Sequence, residues 1–277
     1  MGMEGEKMKV LHFHAGDNRS WGGKSRELSP GLLATYGSRD ITQEGMGIGS
    51  VALKTGGFTY FPSTCITEYR TPYNIIKTFS LDSRLTLHCG TFLSPFLSWV
   101  SEQIVAFYMR HPVLQKTILA GSHNLQRLLP LRFCRESFPS LAEARFAYII
   151  TGLFVTVTCN ISLNGARIGK AYILNELGAD YFTSSLHHET VARPPSGWEQ
   201  LPLLAPTPAL YDEMNDLTFR IVQCATEAIV PPKIFWGRER SSSLCWAGFA
   251  IEIDMTGCPA GKTSLQYTVE FAERKNS

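Results

Sequence analysis

FVTVTCNISL-NG-ARIGKAYIL, residues 154–174, is the stretch whose reading decides the fold. Two β-rich runs, Phe154 to Leu163 and Ala166 to Leu174, flank Asn164-Gly165, whose residues readily take the positive φ of a type I′ turn. The spacing predicts a β-hairpin. Along its first strand Val155, Val157, Cys159, Ile161 and Leu163 share one face, and Thr156, Thr158, Asn160 and Ser162 share the other. The first face is expected in the core. The second, rich in small hydroxyls and amides, suits solvent or the wall of a cavity.

Toward the N-terminus the same signals recur. Lys9 to His14 is a short strand, Ser50 to Lys54 and Phe58 to Phe61 flank Gly56-Gly57, and Ile75 to Ser80 and Arg84 to His88 flank Asp82-Ser83, both read as hairpins. Ser94 and Pro95 then form a helix start, with Ser as N-cap and Pro in the first turn. Phe96, Leu97, Val100, Ile104 and Phe107 follow at helical spacing until His111-Pro112. A second apolar helix is expected from Val113 to Leu129.

Toward the C-terminus the pattern dissolves between Gly178 and Pro208, where Pro194, Pro195, Pro202, Pro206 and Pro208 stiffen a long excursion. Connections of that length are usually functional or disordered. Thr207-Pro208 opens a predicted helix whose Leu210, Met214, Leu217, Ile221, Cys224 and Ala228 fall on one stripe, with Asp212, Glu213 and Asp216 near its positive end. Strands follow near Lys233 to Trp236, Leu244 to Met255 and Thr263 to Ala272. The expectation is an α+β fold: largely antiparallel sheets of hairpins packed with two or three amphipathic helices. No linker or repeat divides the chain, so residues 1–277 read as a single α+β domain, with a subdivision near residue 139 (1–139 and 140–277) as the alternative.

Composition excludes several classes. The 277 residues are 44% hydrophobic, 18% charged and 11% aromatic, which is too ordered a mixture for a disordered chain. No apolar run reaches the roughly 18 residues of a transmembrane helix, so no membrane partner is expected. A net charge of +2 gives no field for sequence-independent nucleic-acid binding. Met1 to Lys9 is charged and lacks the apolar centre of a secretory signal. Seven cysteines, none in a CxxC pair, read as reduced thiols of a cytoplasmic protein. Gly23-Lys24-Ser25 matches the end of a phosphate-binding loop, but Asn18 stands where its first glycine belongs and Pro30 interrupts the helix that should follow. Gly45-Met46-Gly47-Ile48-Gly49 is followed by strand-like residues, so its glycines read as a bend or bulge and not a dinucleotide loop. No nucleotide-binding motif is present, and no motif names a family.

Histidine placement carries the functional expectations. His187 and His188 beside Glu189, on the long excursion, are expected to supply general acid/base chemistry, because imidazole titrates near neutrality and a carboxylate can hold its tautomer. Trp198, Trp236 and Asp254 are the expected substrate-binding residues. The chain thus reads as a cytoplasmic enzyme of hydrolase, lyase or isomerase type, acting on a small organic molecule in a cavity covered by residues 178–208. His12 and His14, two apart on a strand, can converge on one divalent metal, giving a metal-dependent hydrolase as an alternative. Asp17, His123, His187, His188 and Asp254 could complete that shell. A third reading is a non-catalytic binding or assembly protein, such as a homodimer, whose proline-rich arm buries Leu201, Leu203 and Leu204 against a partner.

Overall fold

The computed structural model describes residues 10–15, 31–42, 47–55, 58–89, 131–165, 169–187, 190–202, 207–226, 230–240, 245–256, 258 and 261–274, with residues 63, 84–89 and 131–136 as backbone alone. β1 (Leu11–His14), β2 (Leu33–Tyr36) and β3 (Arg39–Asp40) form a small antiparallel sheet in that order. The remaining strands are β4 (Gly47–Thr55), β5 (Phe58–Thr71), β6 (Asn74–Cys89), β7 (Leu131–Thr151), β8 (Phe154–Leu163), β9 (Lys170–Leu177), β10 (Ser184–His187), β11 (Thr190–Ala192), β12 (Gly197–Gln200), β13 (Ala209–Asp212), β14 (Leu217–Thr226), β15 (Lys233–Arg240), β16 (Cys245–Asp254) and β17 (Lys262–Glu273). They make one sheet in the order β11-β10-β13-β14-β17-β8-β7-β6-β5-β4-β9-β16-β15-β12.

That sheet folds back on itself through β6 and β5. Phe219 on β14 packs against Phe249 on β16, with ring centroids 5.5 Å apart. The Tyr267 hydroxyl on β17 donates to Asn175 Oδ1 on β9 at 2.8 Å, and the Tyr148 hydroxyl on β7 donates to the Gly49 carbonyl on β4 at 3.1 Å. Half of the sheet therefore lies across the core from the other half, as in a two-layer sandwich. Near the ends of the strand order, His187 on β10 meets Trp236 on β15 edge-on at 5.9 Å. The enclosed core includes Phe79, Phe146, Val157, Tyr148, Ile173, Phe219, Ile251 and Phe271.

Among the described residues there is no α-helix, which overturns the α+β expectation. The helix predicted from Thr207 is instead β13, a turn at 213–216 and β14. The Asp212 carboxylate is the physical reason. It accepts the amide N–H groups of Met214 and Asn215 and the side-chain amide of Asn215, turning the chain at the point where a helix would begin. Asp216 takes a left-handed φ of 55° to complete the reversal. Beyond it Leu217, Phe219 and Ile221 are buried at a period of two, while Met214 is 73% exposed. A helical stripe and a strand alternation share Leu217 and Ile221, so the pattern alone did not separate them. The helices predicted at 94–111 and 113–129 lie outside the described residues.

Two pairings differ from expectation. Strands β8 and β9 both exist, but they are not paired with each other: β8 lies between β7 and β17, and β9 between β4 and β16. The partner of β8 is the strand before it, joined by Gly152-Leu153 with Gly152 at φ 61° and Thr151 opposite Phe154. Residues 75–88 form part of one long strand, and the register slips between Leu81 and Ser83 where a turn was expected. By contrast Thr55 and Phe58 pair across residues 56–57 as predicted. Of the glycine-rich run, Gly47 and Gly49 frame a bulge, where the register slips between Ile48 and Ser50 and Gly49 sits at φ 75°. A Cβ on Gly49 would lie 2.8 Å from the Tyr148 hydroxyl. Residue 139 falls within β7.

Candidate functional site

The strand registers place the functional side chains by face, because residues opposite each other in an antiparallel pair share one. Following the pairing from β12 through β15, β16 and β9 to β4 gives one continuous outer face. Its middle carries Gly47, Ser50, Ala52, Gly237, Gly248 and Ala250, all buried, with the half-buried Phe235 and Leu174 on either side of Ala250. Larger groups stand at both ends of this strip of small residues. Trp246 and Glu252 on β16 are six positions apart, roughly 20 Å of strand, so this strip, the trough, is about that long.

At one end the Trp198 indole stacks on that of Trp246, with centroids 3.9 Å apart and planes 14° from parallel. The two side chains reach each other over β15 because Gly237, directly opposite Trp198, and Gly248 beyond it present no side chain. Neither glycine tolerates a Cβ: it would lie 1.9 Å from the Gly197 carbonyl oxygen at position 237 and 2.1 Å from that of Asn175 at position 248. Trp246 is buried beneath the stack, whereas Trp198 keeps 39% of its surface exposed. Arg238 fastens the neighbouring turn by donating through Nε and Nη2 to the Ala179 carbonyl at 3.0 and 2.8 Å. Arg240 pairs with Asp180 at 2.7 Å.

At the other end Glu252, almost buried, accepts from Lys170 Nζ at 2.7 Å and from the Tyr172 hydroxyl at 2.8 Å, with Lys233 Nζ at 3.9 Å. Burial, reinforced by the bond to Glu252 and its charge, pushes the Tyr172 phenol well up. Burial also pulls the Lys54 ammonium down, and the like charge of Lys170 adds to it against the pull of Glu252. Between the two ends Glu176, 6% exposed, stands opposite Gly248 on one side and Gly47 on the other. It lies two positions from the Trp246 row. The face thus combines an aromatic platform, a carboxylate in the floor and a cluster of hydroxyl, ammonium and carboxylate groups.

The residues expected from the sequence fall elsewhere or only partly here. Trp198 belongs to the trough. Trp236 lies on the opposite face of the sheet, because its partner on β12 is Glu199. Asp254 is eight positions beyond Trp246, where its carboxylate accepts the Thr256 amide and hydroxyl. The Thr256 hydroxyl, more than its amide, holds that carboxyl below the usual range. His187 is exposed on β10 with its ring against the edge of Trp236. His188 and Glu189 lie outside the described residues, as do Asp17 and His123. Leu201 packs on the core, and Leu203 and Leu204 are not described. His12 and His14 are both exposed on β1. Among the described residues no group of three His, Cys, Asp or Glu could hold a metal.

Glu176, Trp246, Tyr172 and Lys170 were not expected as site residues. Their signal lay in β16 itself: CWAGFAIEID lacks the polar alternation of a strand with one wet face, which marks burial on both sides.

No family model matches the chain, and no curated protein matches it. Among solved structures it is similar to the Slr1438 protein of Synechocystis sp. PCC 6803, at 9% identity and a TM-score of 0.37 over 90% of this chain and 89% of that one. It is also similar to HI1317, at 7% identity and a TM-score of 0.34 over 77% of this chain; the match spans 65% of HI1317. Neither likeness reaches a level at which function transfers, and neither names a hydrolase, lyase or isomerase. No helix among the described residues is long and apolar enough to cross a membrane.

Proposed function

We propose that the protein binds a small polyhydroxylated organic molecule, a saccharide, in the trough formed by β4, β9, β16, β15 and β12. The observation that carries this reading is the Trp198–Trp246 stack, partly exposed and on the same face as Glu176. A pyranose has an apolar face of C–H groups and a rim of hydroxyls. An indole covers the first, and carboxylates accept from the second in charge-assisted bonds. Beside the stack, Gly237, Gly248 and Gly47 add no side chain to the row that carries Glu176, which leaves room for the ring there.

Titration with a panel of neutral, amino and phosphorylated hexoses, followed by tryptophan emission, tests the proposal. One class of sugar is expected to give a saturable change that W198A abolishes without loss of fold. A panel that gives no saturable change, or a change that survives in W198A, contradicts it.

Chemistry on the bound molecule is a second reading, favoured by the placement of Glu176. Glu176 stands between Gly248 and Gly47 of the neighbouring strands on the face of the Trp198–Trp246 stack, and on this reading its carboxylate accepts and returns a proton of the bound molecule. This relocates the acid/base role expected of His187, which is exposed and faces the Trp236 edge. On this reading E176Q loses turnover by far more than it weakens sugar binding.

A further inference from the structure

We infer that His12 and His14 form an exposed two-coordinate site for a divalent transition metal on β1, separate from the trough. The alternation of the strand fixes the geometry. Leu11 and Phe13 turn inward and pack on the core, with Phe13 5.7 Å from the Phe271 ring, and this commits both histidines to the solvent side. Residues two apart on a strand project from one face at neighbouring heights, so the two imidazoles can share one ion at the usual 2.0–2.1 Å of a metal–histidine bond. Among the described residues β1 pairs with β2 alone, as the outer strand of its sheet.

The ligand chemistry selects the metal. Two imidazoles without a thiolate suit Zn²⁺, Ni²⁺ or Cu²⁺, and Cu²⁺ is favoured by the general order of affinities. No third protein ligand is at hand among the described residues. Across β2 the row from His12 runs through Thr35 to Asp40, two strands away. Asp40 already accepts the Thr42 amide and hydroxyl. The remaining coordination positions are therefore filled by water or by an incoming ligand, and the pair is an open chelate, not a closed structural site.

The test uses tag-free full-length protein and the metal alone. Wild-type protein titrated with Cu²⁺ is expected to bind one equivalent saturably, with a spectrum by electron paramagnetic resonance that carries coupling to two nitrogens. H12A and H14A should each lose the two-nitrogen signal and the saturable phase, while H187A, which removes an exposed histidine on β10, should keep both. Identical isotherms for wild type and the H12A/H14A double variant would overturn the inference. So would loss of the signal in H187A, or a wild-type spectrum showing one nitrogen.

Discussion

The two layers of the sandwich treat their outer faces differently. On β8 and β17 every second residue is buried, and Thr156, Thr158, Asn160, Gln266 and Thr268 look outward as partly or fully exposed groups. On β4 and β16 burial is almost unbroken, with only the ends of each strand open. An antiparallel sheet with one wet face is the ordinary case, and it needs nothing beyond its core. A strand buried on both faces needs a second set of contacts, and there the outward positions are glycine, alanine and serine with isolated charged groups. The layer that departs from simple alternation is the one that carries the candidate site.

Substituting the floor should break this contrast most strongly. In G248V a side chain would be forced onto the Asn175 carbonyl, and a destabilisation of about 4 kcal/mol is expected by chemical denaturation. T158V on β8 should stay within about 0.5 kcal/mol. Equal effects at the two positions would mean that the layers do not differ.

Lys77, on β6 where the sheet turns between layers, gives a pH signature. Its ammonium is almost fully buried and donates to the carbonyls of Ala15 at 2.7 Å and Gly31 at 3.0 Å. Burial lowers its pKa from 10.5 to about 8, against a small opposing pull from Cys65. The unfolded chain keeps this proton until about pH 10.5, so between pH 8 and 10.5 it binds more protons than the folded one. Stability from this group therefore rises with pH across that window, by up to about 3 kcal/mol, and is lowest below pH 8. In K77M that rise should disappear from the pH dependence of the denaturation midpoint.

Asn175 tests the contact between layers. Its Oδ1 accepts both the Gly49 amide at 3.1 Å and the Tyr267 hydroxyl, so N175A leaves two buried donors without an acceptor. A loss of about 2 kcal/mol is expected, with Y267F milder because it removes its own donor. The smallest effect belongs to E252Q. Lys170 and Lys233 are both about half exposed, so weakening their pairing with Glu252 should change stability by less than about 1 kcal/mol. A larger loss would make that end of the trough a structural anchor.

Much of the strand content was legible from the sequence because alternation is local. β17 reads directly from Leu265, Tyr267, Val269 and Phe271, which alternate with Ser264, Gln266, Thr268 and Glu270. Pairing was not legible, because Asn164-Gly165 signals a turn but not which strand follows into register. The order that puts β4 and β16 on either side of β9 depends on contacts between residues roughly 70 to 130 positions apart. The same limit hid the site. Trp198 stood out in the sequence as a candidate, but its partner Trp246 and the floor glycines become neighbours only through β15. His187 and Trp236 do meet, through the edge of the ring and on the other face.

The most direct test of the trough is a side-by-side sugar titration of wild type, W198A and the triple outer-face variant T156A/T158A/T268A, read by calorimetry. Binding lost in W198A and unchanged in the triple variant is the predicted result. Binding unchanged in W198A, or lost in the triple variant, would contradict the assignment of the ligand face to β4, β9, β16, β15 and β12.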